Sequence, residues 1–246
     1  MKFISLASSS HGNAYIVDDG KTQVLIECGV SHRKLQQLCR AAGYRLADMA
    51  ACLVSHEHKD HSSCYEKLLD DGIPIWCSDG TASALGSESL DVFDLHPGAN
   101  VGMVERFGTL EVVPFRTLHD AARPLGFLVR SRVDREKLAF ATDTVNLRYR
   151  FPGVNILAVE ANYADDILAL CTHIPEKVIY RIRNSHMEIG TLCGWISTLE
   201  LDQCRQICLL HLSDHTSHEA RFVQQVKSVA PGIPVSACQK ELTLKC

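Results

Sequence analysis

The chain has 246 residues, 46% of them hydrophobic and 22% charged, a balance that supplies core for one large domain or two small ones. Its net charge of −4 and pI of about 6.3 exclude a strongly basic nucleic-acid binder that works by charge alone, while leaving room for a nuclease whose metals bring the positive charge. No apolar run reaches the length of a membrane span, the opening Met1–Ala7 is too short for a signal peptide, and 11 cysteines with no Cys-x-x-Cys pair read as reduced, buried thiols, so a cytoplasmic protein with no membrane partner is expected.

In chain order, Phe3–Leu6 reads as an opening strand, followed by the small-residue loop Ser8–Asn13. Strands at Ala14–Val17 and Gln23–Glu27 flank the hairpin turn Asp18-Asp19-Gly20. Ser31 is placed to cap a helix running to about Gly43, with Leu35, Leu38 and Cys39 on one face. The apolar run Met49–Val54 reads as a buried strand that leads into Ser55-His56-Glu57-His58-Lys59-Asp60-His61. A helix is expected from His61 to about Asp71, closed by Gly72, then a strand at Ile73–Cys77 and a helix at Asp79–Leu85. Strands follow at Val101–Phe107, Leu110–Leu118, Leu125–Ser131, Lys137–Thr142 and Val154–Val159. The stretch from Tyr163 to Leu199 is mostly helical, and Arg205–His211 is an apolar strand ending in histidine. Thr216-x-x-Glu219 has the form of a capping box opening a helix to about Val229, and two short strands finish the chain. No linker or repeat divides the sequence, so a single domain over residues 1–246 is expected, an α/β arrangement of two sheets face to face with helices outside.

The chemistry is concentrated where apolar strands stop. Val54 leads to His56, His58, Asp60 and His61; Leu110–Leu118 to His119; Leu138–Thr142 to Asp143; Ile156–Val159 to Glu160; and Ile207–Leu210 to His211. Polar groups at the ends of buried strands are how α/β scaffolds gather a site, and neutral imidazoles crowded with carboxylates call for a cation. Counting donors supports two divalent ions, Zn²⁺ or Mn²⁺. His56, His58 and His119 can form one set and Asp60, His61 and His211 the second. Asp143 is the natural bridge, and a hydroxide shared by the ions is the expected nucleophile. The remaining His32, His96, His173 and His218 read as surface or capping residues. Arg148, Arg150, Arg181 and Arg183 could steer phosphates or simply be solvated.

The series His-x-His-x-Asp-His, His, Asp, His resembles the metallo-β-lactamase fold, an αββα sandwich of two mixed sheets with a dinuclear site, and the resemblance spans the whole chain. The Ala7–Asn13 opening, Thr142-Asp143-Thr144 and His211-Leu212-Ser213 are most similar to the small YycJ/WalJ-type members, regarded as DNA exonucleases. Glu160 in Glu-Ala-Asn-Tyr and His186 in Ser-His-Met-Glu match the order seen in RNase Z. That resemblance implies a relay in which Asp60 and Glu160 orient His186, which protonates the leaving alkoxide. It implies a dinuclear-metal phosphodiesterase, a nuclease of 5′-to-3′ exonuclease type with DNA ahead of RNA as substrate. Ser10, His11, Asn13, Asn162 and His215 are the candidate substrate contacts, and a homodimer is an allowed assembly. A phosphodiesterase for a small substrate such as a cyclic nucleotide, and a carboxyl-ester or thioester hydrolase, are the alternatives. The sequence departs from the family at Glu27, where Asp is usual beneath the histidine loop, at Tyr163, where His is common, and at His11, where Ser or Thr is commoner.

Overall fold

A computed structural model of the chain describes residues 1–96 and 98–238. The residues gather in two compact units. One comprises Met1–Arg116 and Ala121–Lys137, and the other Thr117–Asp120 and Leu138–Cys238.

The first unit opens with β1 (Lys2–Ala7), β2 (Ala14–Asp18) and β3 (Gln23–Ile26), followed by α1 (His32–Ala41). Ser31 caps α1 as expected, its hydroxyl accepting from the Lys34 N–H. After a single 3-10 turn at Leu46–Asp48 come β4 (Cys52–Leu53), α2 (Lys59–Ser62), α3 (Tyr65–Asp70), β5 (Ile75–Cys77), α4 (Asp79–Leu85) and β6 (Asp91–Val92). These strands form one six-stranded sheet in sequence order. It is antiparallel across β1, β2 and β3 and parallel from β3 through β6. Among the parallel strands, β3, β4 and β5 are mostly apolar and buried, as buried parallel sheet requires, and β6 is exposed. Leu6, Ile16, Leu25, Leu35, Leu68 and Ile75 are fully buried in its core; each such side chain contributes about 1.5–3 kcal/mol. Three further strands, β7 (Glu105–Phe107), β8 (Leu110–Arg116) and β9 (Leu125–Ser131), pair antiparallel.

The second unit holds β10 (Lys137–Ala141), β11 (Ile156–Glu160), α5 (Asp165–Leu170), α6 (Glu176–Ser185), α7 (Ile189–Ile196), β12 (Gln206–Leu210), α8 (Glu219–Val229) and β13 (Val235–Ala237). β10 to β13 pair in parallel, with β11 and β12 completely or almost completely buried. No helix among the described residues is long and apolar enough to cross a membrane, and the cysteines among them form no disulfide.

The structure corrects several local readings. The helix expected from His61 to Asp71 is broken, because the Cys64 N–H is drawn to the Cys28 carbonyl at 3.1 Å. Only Glu105–Phe107 of the expected strand 101–107 is strand, with Val101 making a lone bridge to Phe115. The capping box at Thr216 does not form: His218 is the N-cap of α8 and accepts from the Arg221 N–H. Within the stretch expected to be mostly helical, His186 is the residue after α6, its own N–H bonded to the Ile182 carbonyl at 3.0 Å. Of the two closing strands, the first is β13, and the second lies outside the described residues.

The β3 terminus fixes the histidine loop by main-chain bonds. The Asn13 N–H donates to the Asp60 carbonyl at 2.8 Å, the Cys28 N–H to His61 O at 2.8 Å and the Gly29 N–H to Asn13 O at 2.9 Å. Gly29 is required by this approach, since a Cβ there would lie 1.6 Å from the Asp60 carbonyl oxygen. Gly29→Ala is expected to cost at least ~3 kcal/mol, the upper end of overpacking penalties, read as a fall in the denaturant midpoint. A loss under about 0.5 kcal/mol, the ordinary range for an unconstrained surface change, would contradict the close packing.

Candidate metal centre

Each unit presents a cluster of imidazoles and carboxylates at the ends of its strands. In the first, the loop after β4 is buried at His56 and His61 and partly exposed at His58 and Asp60. His56 Nδ1 meets the Ser55 hydroxyl at 2.8 Å, which leaves Nε2 pointing at His58 Nδ1, 3.0 Å away. The His56 and His61 rings lie 4.2 Å apart, and His61 Nε2 is 3.3 Å from Asp60 Oδ2. Such convergence of ring nitrogens and a carboxylate suits a transition-metal donor set.

Glu27 lies beneath this loop, fully buried, in the position where a shorter acid was expected. Its Oε2 accepts from the Ser55 N–H at 3.3 Å and its Oε1 is 3.6 Å from His61 Nδ1. The longer arm therefore still reaches both ends of the loop. Burial pushes its carboxyl up, and the facing His61 and Ser55 pull it only part of the way back. Orienting a ligand imidazole through its second nitrogen is the usual task of such a carboxylate.

In the second unit the logic is clearer, because one proton can be placed by chemistry. His119 Nδ1 is 2.6 Å from the Ser185 carbonyl, so it must be the donor there. Burial holds the His119 imidazole below its ordinary value, even with Asp143 beside it. Nε2 is then a bare lone pair, yet it faces Asp143 Oδ2 at 3.4 Å and Asp120 Oδ1 at 3.3 Å. A lone pair aimed at carboxylate oxygens is repulsive unless a cation joins them, so these residues fit a metal ion.

Ligand atoms of Asp143, Glu160, His186 and His211 all lie within 4.8 Å of one another. Glu160, at the end of β11, is fully buried. Its Oε1 receives His186 Nδ1 at 2.7 Å and His211 Nδ1 at 3.2 Å. Its Oε2 receives the Thr144 N–H at 2.9 Å and the Met187 N–H at 3.1 Å. Burial alone would raise this carboxyl, but the charge and hydrogen bond of His186, with His211, hold it below the ordinary range. For His186, burial works downward and is outweighed by the Glu160 charge and hydrogen bond, so the imidazole is held above its usual value. Its side chain is 14% exposed, enough to meet a bound group.

The candidate substrate residues divide. Ser10 and His11 are exposed on their loop, and His215 is exposed with its ring against His173 at 5.6 Å. Asn13 is fully buried: its amide donates to the Ser9 and Asp60 carbonyls and its oxygen accepts from the Tyr15 hydroxyl. Asn162 is buried and donates to the His211 carbonyl at 2.9 Å. Both asparagines hold the backbone of a candidate ligand. Tyr163, at the position where His is common, is buried and pairs with Glu188 as an isolated bridge.

One feature that sequence reasoning missed is backbone strain. Glu27, Asp143 and His211 have φ of 64°, 45° and 53°, a region costing about 1–3 kcal/mol for a residue with a side chain. That cost at three candidate site residues is the signature of positions fixed by their surroundings.

A family model for the beta-lactamase superfamily domain matches residues 22–212. Exodeoxyribonuclease YycJ of Bacillus anthracis is 29% identical over 227 residues, 87% of this chain and 83% of that protein. Among solved structures, the metallo-beta-lactamase fold protein YhfI of Bacillus subtilis superposes with a TM-score of 0.71 at 14% identity, covering 98% of this chain and 97% of the other. The short form of human tRNase Z gives 0.66 at 14% identity, covering 98% of each. These likenesses show the fold, and the α/β sandwich of two mixed sheets expected from the sequence is borne out.

Proposed function

The chain belongs to the beta-lactamase superfamily and is a hydrolase of that fold, and on that premise we propose that it is a metal-dependent phosphodiesterase acting on nucleic acid, a 5′-to-3′ DNA exonuclease. The observation that carries the reading is the Glu160–His186 pair, 2.7 Å long and buried on the carboxylate side. Hydrolysis of a thioester has no need of such a proton donor, because a thiolate leaves unprotonated. A phosphodiester does, because its alkoxide leaves poorly unless protonated. The similarity to an exodeoxyribonuclease over most of both chains supports DNA as the polymer.

His56, His58 and His119 are proposed to hold one divalent ion and Asp60, His61 and His211 the other, with Asp143 shared. Zn²⁺ and Mn²⁺ both suit this donor set. When bound, the ions supply Lewis acidity at the phosphoryl oxygens and make a nucleophile available at neutral pH. The protein's own groups do the rest. Ser55 and Glu27 set the tilt of His56 and His61, and the Ser185 carbonyl fixes His119 with Nε2 outward. Glu160 takes His186 Nδ1, so the proton to be delivered sits on Nε2, and Asp60 is proposed as a second orienting carboxylate. Protonated His186 gives that proton to the departing oxygen and is recharged from solvent. The exposed Ser10, His11 and His215 are proposed to line the path of the substrate.

The test is a panel of end-labelled single- and double-stranded DNA, RNA and cyclic nucleotides, with Mn²⁺ or Zn²⁺, beside Asp143→Ala. Polymer cleavage with 5′-to-3′ polarity, lost in the variant, is expected; turnover of cyclic nucleotides alone would replace the polymer with a small substrate. His186→Ala is expected to lower kcat on DNA by about 10²–10⁴-fold, the range for a lost general acid. The same change has far less effect on bis(p-nitrophenyl) phosphate, whose leaving group needs no proton. Equal losses on both would remove His186 from the acid role.

The pH profile gives a second check. A general acid works only while protonated, so activity falls as pH rises through the His186 value. Glu160 raises that value. Glu160→Gln is therefore expected to move the alkaline limb of kcat to lower pH, and an unmoved limb would contradict the pairing.

A further inference from the structure

Four arginines flank candidate site residues in sequence, Arg148 and Arg150 after Asp143 and Arg181 and Arg183 before His186, and the structure separates them. Arg181 pairs with Asp120 at 2.7 Å and Arg183 with Asp165 at 3.0 Å, so both are neutralised. Arg148 and Arg150 have no acidic partner among the described residues; Arg150 reaches only the Thr198 carbonyl.

Both arginines are exposed and line a groove of about 350 Å³. It is lined by Asn146, Tyr149, Thr191, Gly194, Trp195 and Thr198, and no acidic residue contributes. Spacings of three and four along α7 put Thr191, Gly194 and Trp195 on one stripe, and Thr198 follows just past the helix end. Trp195 is fixed by its indole N–H, which donates to the Tyr149 carbonyl at 3.0 Å. The half-buried Tyr149 ring lies 6.3 Å from Phe151, and Phe151 lies 6.2 Å from Trp195.

The groove is tied to the candidate centre by a short, bonded stretch of chain. Asn146 follows Asp143 by three residues. Between them, the Thr144 N–H is held by Glu160, the Thr144 hydroxyl accepts from the Leu118 N–H at 3.0 Å and donates to the Asn146 carbonyl at 2.9 Å, and the Val145 N–H donates to Leu118 O at 2.9 Å. A chain carrying −4 overall thus concentrates two guanidiniums without an acidic partner, an amide and an aromatic ring three to seven residues after Asp143.

We propose that this groove binds the single-stranded DNA substrate, Arg148 and Arg150 taking backbone phosphates and Tyr149 offering its face to a base. Guanidinium–phosphate contacts with sequence-tolerant stacking are how single strands are held without base readout. The assignment rests on the nuclease reading and names the surface that feeds it.

The test compares two substrates on the metal-loaded enzyme, a 5′-labelled single-stranded oligonucleotide and bis(p-nitrophenyl) phosphate, for wild type, Arg148→Ala, the Arg148→Ala/Arg150→Ala pair and, as control, Arg221→Ala, whose guanidinium is held by Asp166. The double variant is expected to lose kcat/KM on the oligonucleotide roughly tenfold more than on the small diester, through KM. Its salt dependence of DNA binding flattens by about 0.7 per phosphate contact removed. The Arg221 variant behaves as wild type. Equal loss on the two substrates, or an unchanged oligonucleotide KM and salt slope, overturns the groove while wild-type DNA cleavage keeps the nuclease reading intact. If the double variant fails to fold, Arg148→Ala alone, with no main-chain bond to lose, decides by the same criteria. A wild type that hydrolyses the small diester but neither binds nor cuts DNA overturns the nuclease reading, and the occupant of the groove with it.

Discussion

The second unit is arranged around one buried carboxylate. Glu160 carries charge where water cannot reach it, a placement costing several kcal/mol if uncompensated. Four donors converge on it, two imidazole nitrogens and two main-chain N–H groups. Hydrogen bonds to a charged group contribute about 1.5–3 kcal/mol each, so four of them offset the burial and keep the carboxyl ionised. The consequences run outward. Thr144 is fixed next to Asp143, Met187 next to His186, and both imidazoles are oriented through Nδ1, leaving their Nε2 atoms for chemistry.

The first unit solves the same problem with the main chain. β3 runs on into Glu27-Cys28-Gly29, where the Glu27 N–H still bonds to the Leu53 carbonyl of β4, the Cys28 N–H to the His61 carbonyl of the histidine loop and the Gly29 N–H to the Asn13 carbonyl. The absence of a side chain at Gly29 lets the loop lie against it, and Glu27 turns back under the loop at a positive φ. Strain at Glu27, Asp143 and His211 together amounts to a few kcal/mol, a fraction of what the buried strands of both units contribute. The fold can carry it, and three of the five non-glycine residues with positive φ among the described residues are candidate site groups.

Much of this was legible in the sequence because the signals were local. Apolar runs of strand length stop at His56, Asp143, Glu160 and His211, and the strands found there are β4, β10, β11 and β12. The Ser31 cap and the helix at Asp79–Leu85 were likewise written in neighbouring residues. What escaped depends on distant partners. The break at Cys64 comes from a carbonyl 36 positions earlier, at Cys28. β6 is two exposed residues that only a neighbouring strand makes into strand. Asn13 and Asn162 read as substrate contacts because their buried hydrogen bonds run to Asp60 and His211, far away in sequence. Arg148 and Arg181 look alike in sequence, and only the position of Asp120 tells the neutralised one from the free one.

The central claim, that the His and Asp clusters form a two-ion hydrolytic centre, is tested most directly by titrating chelator-stripped protein with Mn²⁺ or Zn²⁺ while following heat and DNA cleavage on the same sample. Two ions per chain are expected, with cleavage rising as the second is taken up. Undiminished cleavage after exhaustive chelation, or full activity with one ion bound, would contradict it.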